Sequence, residues 1–274
     1  MVGTPIGNLG DISPRAREAM EQCGFIAAED TRVTMKLLTH FGIRKPLISY
    51  YEHNQRASGE VITARLLAGE TCVLVTDAGM PAISDPGEAI VDKCHELGIH
   101  VTVVPGPSAV VTALAVSGMP SGRFTFEGFL SVNKKSRRDH LLEIRNEKRT
   151  MVFYEAPHKL PAMLADLYEA LGERRIAIVR ELTKIHEEVI RTTLSQAAGK
   201  YAAEGGETPR GEFVIIVEGA HDTASEESIT PEQGAEMARS LIAGGMPPSE
   251  AAKQAAKATG LKKGDIYRLL VMSE

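Results

Sequence analysis

The segment between residues 71 and 116 constrains the fold of this chain most strongly, because apolar strand-like runs alternate in it with helical patterns. The predicted elements are a strand at 71–76, a helix near 87–97, a strand at 100–104 and a small-residue helix from Ser108 to about Val116. Strands and helices in this order are typical of a parallel sheet covered by helices. We therefore predict an α/β fold for the first part of the chain.

A second region begins after residue 117, where the stretch SGMPSGRF concentrates glycine and proline and predicts a domain boundary. Beyond it, some predicted strands follow one another without a helix between them, so we predict a mixed sheet. The predicted strands lie at 124–130, 150–155, 175–181, 186–192 and 211–218, and the predicted helices lie near 137–146, 158–171 and 194–203.

The last part of the chain reads as an acidic, small-residue linker at 219–230 that is followed by helices. Thr230 with Pro231 predicts the start of one helix, and Ser249 predicts the cap of another. Short helices joined by tight turns are typical of a helix-turn-helix appendage, although an alanine-rich packing or dimerisation segment has the same pattern. The predicted parts are an N-terminal αβα domain at 1–117, a C-terminal αβα domain with a mixed sheet at 118–219, and a linker with a helical tail at 220–274.

Length and composition limit the classes of protein to which this chain can belong. Its 274 residues suffice for two domains, and 43% hydrophobic with 24% charged residues is ordinary for a globular protein. The cysteines Cys23, Cys72 and Cys94 show no CxxC spacing, which argues against a disulfide framework or a zinc site and favours a reducing compartment. Without an export signal or an apolar run of about 20 residues, we expect a cytoplasmic protein with no membrane span.

The basic residues are clustered, although the formal net charge of the chain is −5. Residues 134–149 hold seven basic against three acidic side chains, and residues 253–268 hold five against one. Each cluster can bind nucleic-acid phosphates or can be an ordinary solvated helix face. The candidate RNA contacts are Lys134, Lys135, Arg137, Arg138, Lys262, Lys263 and Arg268.

Three small, rigid loops are the candidate functional elements of the first domain. Residues 77–87 hold two aspartates among glycines and prolines, residues 3–10 hold three glycines, and residues 105–109 read PGPSA. Ligands of open α/β sheets bind at strand ends, and a helix starting after Ser108 would offer free amides to an anion or a carboxylate. One such loop can be an ordinary connection, but three together favour a small-molecule site. Neither a GxGxxG fingerprint nor a P-loop lysine is present, which argues against dinucleotide and nucleoside-triphosphate sites.

Eight stretches, which include these three loops, are spread in order along almost the whole chain. They are GTPIGNLGDIS at 3–13, AAEDTR at 27–32, TDAGMPAISDPG at 76–87, PGPSA at 105–109, EGFL at 127–130, YEAPHKL at 154–160, RELTKIHEE at 180–188 and GEFVIIVEG at 211–219. Together they resemble the ribosomal RNA small subunit methyltransferase I family of the tetrapyrrole methylase fold. The resemblance implies two αβα domains of the class III methyltransferase type with the cofactor in the cleft between them, a small C-terminal helical appendage, and a homodimer.

The same resemblance implies a reaction. It is the S-adenosylmethionine-dependent 2′-O-ribose methylation of a cytidine in the decoding region of 16S small-subunit rRNA, position 1402 in the common rRNA numbering. The partner would be that rRNA or the 30S subunit. By resemblance, the cofactor-binding residues are Pro5, Asp77, Ala78, Gly79, Met80, Ser108, Ala109, Tyr154 and Glu155.

Methyl transfer to a ribose hydroxyl is an in-line displacement at a sulfonium, for which no metal is required. The hydroxyl is a weak acid, so a proton acceptor, or a cation that stabilises the alkoxide, would help. Asp30 and Arg32 can instead form a helix cap with a salt bridge, and a lone histidine is often structural. The candidates, from AAEDTR and YEHNQ, are Glu29, Asp30, Arg32, His53 and Asn54.

Two other functions stay open at this point. A methyltransferase of this fold can act on a tetrapyrrole or another small molecule, and the basic clusters would also suit a non-enzymatic RNA-binding module. The AAEDTR motif, the basic segment 134–149 and the helical tail favour RNA over a porphyrin. The three rigid loops favour an enzyme over a binding module, which would leave them without a use.

Overall fold

The computed structural model of the chain divides into two units, Met1–Ala220 and His221–Glu274. Two sheets and the helices around them make up the first unit. The structure describes residues 1–221 and 230–271. In the first unit the strands are β1 (Phe25–Ala28), β2 (Leu47–Ser49), β3 (Cys72–Val75), β4 (Phe124–Phe129), β5 (Thr150–Glu155), β6 (Arg175–Arg180), β7 (Glu188–Thr193) and β8 (Phe213–Val217). The helices of that unit are α1 (Pro14–Gln22), α2 (Thr31–His40), α3 (Gln55–Leu67), α4 (Glu88–Glu96), α5 (Ala109–Ser117), α6 (Lys134–Glu143), α7 (Leu160–Leu171) and α8 (Leu194–Lys200).

The first sheet is parallel, in the order β2-β1-β3. Its strands are buried on both faces, because alternate side chains enter two different apolar clusters. Ile26 and Val73, for example, belong to one cluster, and Phe25 and Leu74 belong to the other. Burial on both faces explains why β1 and β3 read as unbroken apolar runs. The predicted helix-covered parallel sheet is confirmed.

The strand predicted at 100–104 is wrong. The structure has only one isolated bridge there, between Val2 and Val104, where the Val104 amide donates to the Met1 carbonyl at 2.9 Å. On the other side, the Val2 amide donates to the Leu74 carbonyl of β3 at 3.0 Å. The segment at 104 therefore pairs with a very short extended stretch at the start of the chain, which is too short to form a ladder.

The second sheet is mixed, as predicted, with the order β4-β5-β8-β6-β7. Strands β4 and β5 are parallel, and the other neighbours are antiparallel. One face packs against α7, α8 and the end of α6. Helix α6 begins at Lys134, before the predicted 137, because the Asn133 side chain accepts from the amides of Lys135 and Ser136 and so caps it.

Helix α5 covers the other face of this second sheet. Its Val110, Ala113 and Leu114 pack against Val152 of β5 and Ile216 of β8. The helix ends at Gly118, which has a φ of +67°, a conformation that glycine adopts without strain. The predicted domain boundary at 117/118 thus falls where α5 ends, and the division of the first unit into two domains stays a prediction.

The second unit contains the helices α9 (Pro231–Ala243), α10 (Pro248–Thr259) and α11 (Lys263–Val271) around an alanine-rich core. Thr230 caps α9 in a capping box with Gln233, as its sequence predicts. The cap predicted at Ser249 is wrong: Pro247 precedes α10, and the Ser249 hydroxyl instead accepts from the Lys263 ammonium at 3.0 Å. Most of the predicted linker, residues 222–229, lies outside the described residues. No described helix has both the length and the apolar character needed to span a bilayer.

Candidate active site

The three glycine- and proline-rich loops meet at the carboxyl edge of the first sheet, as their sequence predicts. Thr4 and Gly79 form a two-way bridge, with N–O distances of 2.9 and 3.1 Å between their backbones. Gly3 and Gly106 approach so closely that a Cβ on Gly3 would lie 2.7 Å from the Gly106 Cα. Only glycine permits that approach, so the glycines at 3 and 106 are what allows the loops to meet.

A cavity of about 330 Å³ opens where these loops face the end of β5. Its walls also include Ile6, Asp85, Phe129, Glu212 and the start of β8. The cavity brings together residues from both sheets, as expected for a ligand site at strand ends. Seven residues predicted to bind the cofactor line it: Ala78, Gly79, Met80, Ser108, Ala109, Tyr154 and Glu155.

Glu155, which lines this cavity, has a buried polar atom without a partner. The side chain is 4% exposed, its Oε1 accepts from the Ala156 amide at 2.8 Å, and its Oε2 is buried with no hydrogen-bond partner in the protein. Burial raises the pKa of this carboxyl, and the nearest opposing charges are those of Lys159 and Arg137. A buried polar atom without a partner is costly, so Oε2 indicates a place for a ligand donor.

Tyr154 closes the apolar side of the cavity. Its ring makes edge-to-face contacts with Phe126 and Phe129, at centroid distances of 5.0 and 5.5 Å. Burial is the main cause that raises its pKa to about 12, and the Val110 backbone, within hydrogen-bonding reach, opposes the shift. The Asp85 charge also raises this pKa, and both residues line the cavity.

The start of α5 contributes backbone amides to the same cavity. Ser108 is the N-cap residue, as predicted, but its side chain makes no capping hydrogen bond. Ser108 and Ala109 both line the cavity, so the positive end of the helix lies at its wall. Such a helix start suits a carboxylate or another anion.

Asp85 is the site residue that the sequence did not single out. It lines the cavity, and burial is the main cause that raises its pKa to about 6. The nearby charges of Glu29 and Asp77 raise this pKa further, while the Thr76 hydroxyl, which is within hydrogen-bonding reach, lowers it. Thr76 also donates to Glu29 Oε2 at 2.5 Å. In the sequence, Asp85 stands in SDPG before a helix and reads as an ordinary turn residue, so only the fold reveals its position.

The loop that carries Asp85 is held in an unusual backbone conformation. Ala82 and Ser84 have φ angles of 70° and 64°, in the left-handed region that residues with a Cβ rarely adopt. Such conformations typically cost about 1–3 kcal/mol each and persist where the surrounding structure enforces them. The shape of this loop is therefore fixed by its neighbours, and Asp85 is presented in a defined position.

Two of the predicted cofactor residues lie elsewhere. Pro5 and Asp77 line a neighbouring cavity of about 290 Å³, together with Val33 and Lys36 of α2. The Asp77 Oδ1 accepts from the Asp30 amide at 3.1 Å, so this carboxylate is already engaged in holding the start of α2. The structure brings Pro5 and Asp77 next to the first cavity through the Thr4–Gly79 bridge, without placing them on its wall.

The predicted catalytic pair Asp30 and Arg32 forms a helix cap and an ion pair. Asp30 Oδ1 accepts from the Arg32 amide at 2.8 Å, and the two side chains are joined at 2.6 Å. Hydrogen bonds from the Arg32 side chain and backbone lower the pKa of Asp30 to about 2, which makes this carboxylate a weak base. The Arg32 guanidinium is 87% exposed, so it is open to a phosphate.

Three other catalytic candidates remain: Glu29 accepts from the Thr76 hydroxyl, Asn54 directly precedes α3, and His53 lies on a third cavity. His53 is exposed and lines this cavity beside α3, with its ring edge-to-face against Tyr51 at 6.3 Å. Asn54 makes local backbone contacts, since its Oδ1 accepts from the Tyr51 amide at 2.8 Å and its Nδ2 donates to the Ser49 carbonyl at 3.1 Å. The structure therefore does not bring His53 or Asn54 to the cavity that Glu155 lines.

The first basic cluster is only partly presented to solvent. Lys134, Lys135 and Arg138 are exposed on α6. Arg137 is not, because its guanidinium pairs with Asp166 of α7 at 2.6 Å and its side chain is 14% exposed. In the second unit, three basic residues are exposed: Lys262 directly before α11, Lys263 at its first position and Arg268 in its last turn. Within residues 1–221 and 230–271, no group of three His, Cys, Asp or Glu side chains is arranged to hold a metal ion.

Two family models match the chain. The model described as Tetrapyrrole (Corrin/Porphyrin) Methylases matches residues 1–198, and the model described as RsmI C-terminal HTH domain matches residues 228–273.

Solved structures share the fold of the first unit at low identity. Uroporphyrin-III-C-methyltransferase from Thermus thermophilus superposes with a TM-score of 0.54 at 18% identity, covering 79% of this chain and 92% of that one. Diphthine synthase superposes with a TM-score of 0.58 at 15% identity, covering 80% and 90%.

Similar proteins named "Ribosomal RNA small subunit methyltransferase I" match almost the whole chain. The one from Xylella fastidiosa (strain Temecula1) is 47% identical over 268 residues, which cover 97% of this chain and 96% of the relative. The one from Synechocystis is 46% identical over 274 residues, covering 98% and 95%. The one from Pseudomonas aeruginosa is 43% identical over 271 residues, covering 98% and 94%. The predicted fold class is confirmed, and the chain belongs to the ribosomal RNA small subunit methyltransferase I family of tetrapyrrole-methylase-fold methyltransferases.

Proposed function

We propose that this protein methylates the ribose 2′-hydroxyl of a cytidine in the decoding region of small-subunit rRNA, position 1402 in the common numbering, with S-adenosylmethionine as the methyl donor. The names of its relatives support small-subunit rRNA as the substrate class. The eight motifs described above support the finer assignment to a cytidine 2′-hydroxyl. The observation that carries the proposal is the cavity lined by residues from both sheets, among them Glu155 with its buried, unpartnered oxygen.

The residues of this cavity fit such a cofactor. S-Adenosylmethionine supplies a methyl group on a positively charged sulfonium and also carries an ammonium, a carboxylate and two ribose hydroxyls. The carboxyl group of Glu155 suits the positive groups or the hydroxyls, and the amides at the start of α5 suit the carboxylate. Tyr154 and Phe129 give the cavity an aromatic wall.

The exposed basic residues suit the RNA. Lys134, Lys135 and Arg138 form one positive surface on α6, and Lys262, Lys263 and Arg268 form another in the second unit. We assign to both the binding of phosphates, which positions an RNA without reading its sequence. Arg137 is left out of this assignment, because it is already paired with Asp166.

A labelling experiment tests the function directly. The full chain is incubated with S-adenosylmethionine labelled in its methyl group and with small subunits lacking the modification, naked small-subunit rRNA, or uroporphyrinogen. We expect label in the rRNA at a single cytidine whose 3′ linkage resists alkali, because a 2′-O-methyl group blocks alkaline cleavage. Label in uroporphyrinogen alone would identify a tetrapyrrole methylase instead. RNA binding without any transfer would identify a binding module.

The part played by the basic surfaces is tested with the same substrates. Deleting residues 220–274 should lower methylation of the ribosomal substrate while cofactor binding to the remaining chain is retained. Full methylation by the shortened chain would show that the tail makes no needed RNA contact.

A further inference from the structure

We propose that Asp85 is the proton acceptor for the ribose hydroxyl in this cleft, which rests on the function proposed above. Asp85 lines the cavity that is also lined by Glu155, with its unpartnered Oε2, by the start of α5 and by Tyr154. A proton acceptor must come within hydrogen-bonding distance of the group that it deprotonates. Glu155 and Glu212 also line this cavity, and Glu155 is assigned above to the cofactor. Of the three aspartates near these loops, Asp85 is on the wall of this cavity, whereas Asp30 and Asp77 are not.

The position of Asp85 is fixed by the backbone on both sides. Ser84, before Asp85, is in the left-handed region at a φ of 64°, and Pro86, after it, restricts the backbone of Asp85. The loop is tied at its beginning by the Thr4–Gly79 bridge and continues at its end into α4. A carboxyl group on such a loop is pre-positioned and does not need a large movement to meet a substrate.

The hydroxyl of Thr76 can hydrogen-bond to Asp85 in either protonation state. It lies within hydrogen-bonding reach of Asp85 and donates to Glu29 Oε2 at 2.5 Å. While its single proton is on the Glu29 side, the Thr76 oxygen can accept from a protonated Asp85. When the hydroxyl turns, it can donate to an ionised Asp85. The neighbourhood therefore accommodates Asp85 both before and after it takes up a proton.

The charges around Asp85 increase its affinity for a proton. The groups that face it are Glu29 after β1, Asp77 after β3 and the Tyr154 hydroxyl at the end of β5, and no cation contributes to its shift. Burial, together with the charges of Glu29 and Asp77, raises the pKa of Asp85 to about 6, close to the pH at which a base is both ionised and effective. Asp30, by contrast, has a pKa of about 2 beside Arg32 and would hold a proton poorly.

The transfer balances without another reactant. The ribose oxygen forms a bond to the methyl carbon, and the bond between that carbon and sulfur breaks with its electron pair remaining on sulfur. The hydroxyl proton passes to an oxygen of the Asp85 carboxylate and is later released to solvent. The substrate loses a proton and gains a methyl group, while the sulfur loses its positive charge.

The test compares Asp85→Asn, Asp85→Glu and a matched control, Asp92→Asn, which alters an exposed aspartate on α4. In single-turnover assays with unmodified small subunits, we expect Asp85→Asn to lower the rate by about 100-fold or more, with Asp85→Glu retaining part of it. The control should match the wild type. Calorimetry should show that Asp85→Asn binds S-adenosylmethionine within about threefold of the wild type, which excludes a general loss of the site.

A measurement without substrate addresses the carboxyl itself. Carbon NMR of aspartate-labelled protein should show one carboxyl that titrates near pH 6 and is missing in Asp85→Asn. For the wild type, the single-turnover rate should fall about tenfold per pH unit below pH 6. If Asp85→Asn does not fold, this pH profile and the Asp85→Glu variant decide the question.

The outcomes separate this proposal from the function on which it rests. If the wild type transfers no methyl group to a ribose 2′-hydroxyl, the proposed function fails. If the wild type does so and Asp85→Asn is equally fast, only the role of Asp85 fails. A wild-type rate that stays constant from pH 5 to pH 8 would also overturn the role of Asp85.

Discussion

Replacing Asp85 with asparagine should make the first unit more stable at neutral and alkaline pH. The folded protein raises the pKa of this carboxyl from 3.8 to about 6, so it holds the proton more tightly than the unfolded chain does. Below about pH 4 both states are protonated, and the carboxyl does not destabilise the fold. Between about pH 4 and pH 6 the unfolded chain ionises first, so the stability of the wild type falls as the pH rises. Above pH 6 the destabilisation is complete, and asparagine, which cannot ionise, avoids it.

The magnitude follows from the size of the shift. A rise from 3.8 to about 6 corresponds to about 3 kcal/mol, at about 1.4 kcal/mol per unit of pKa. Asp85 is only partly buried, and solvent screening reduces this figure, so we expect about 1–2 kcal/mol. For a unit of this size, that is a rise of about 2–8 °C in the melting temperature.

The assay measures unfolding of the wild type and of Asp85→Asn at pH 4 and at pH 8. Other carboxyls act in the opposite direction, because Asp30 and Glu147 both have a pKa near 2 and lose their favourable contacts in acid. They are present in both proteins, so the difference between wild type and variant at each pH isolates Asp85. The exposed Asp92→Asn change serves again as the control and should give little difference at either pH.

Two results would refute this reasoning. If Asp85→Asn is no more stable than the wild type at pH 8, ionised Asp85 does not destabilise the fold. If the variant is more stable by the same amount at pH 4 and pH 8, the gain comes from packing or hydrogen bonding and not from the lost charge.

Three other predictions concern the cofactor, the RNA and the assembly. Glu155→Gln should weaken S-adenosylmethionine binding about tenfold, or about 1.4 kcal/mol, while the control Glu143→Gln, at an exposed residue, should not weaken it. If calorimetry gives Glu155→Gln the same affinity as the wild type, Oε2 does not contact the cofactor. Neutralising Lys134, Lys135 and Arg138 together should reduce the magnitude of the slope of log RNA affinity against log salt concentration by about two to three, with cofactor affinity unchanged. An unaltered slope would identify these residues as a solvated helix face. Light scattering should give twice the 29.6 kDa mass of one chain, since the family resemblance implies a homodimer, and a monomer throughout the micromolar range would contradict it.

Much of the fold could be predicted because local sequence and tertiary structure agree. The apolar run before Thr76 forms β3, and the run before Ala156 forms β5, with the glycine- and proline-rich loops placed after the strands. The convergence of those loops could be predicted from topology, because parallel strands end at the same edge of a sheet. The α/β class and the meeting of the three loops thus followed from the pattern of the sequence, whereas the methyltransferase fold type and a cleft shared by two domains followed from the family resemblance.

The details that could not be predicted depend on contacts between residues far apart in the chain. Residues 100–104 have the composition of a strand, but the partner beside Val104 offers a single bridge. Arg137 has the same local context as its basic neighbours, and only the packing of α7 pairs it with Asp166. Asp85 reads as a turn residue until the fold places Tyr154, from a strand of the other sheet, on the wall of the same cavity.

The two aspartates at this edge of the sheet illustrate opposite uses of a carboxyl group. Asp30 caps α2 and pairs with Arg32, so its ionisation stabilises the fold and its basicity is lost. Asp85 faces other acidic groups, so its ionisation destabilises the fold and its basicity is retained. The loops that are locked together by the Gly3–Gly106 contact can hold Asp85 in that unfavourable setting, since β3 and its neighbours are firmly buried. Asparagine at position 85 would make the fold more stable than aspartate does. The carboxyl group of Asp85 is therefore more simply explained by the chemistry of the cleft than by the stability of the fold.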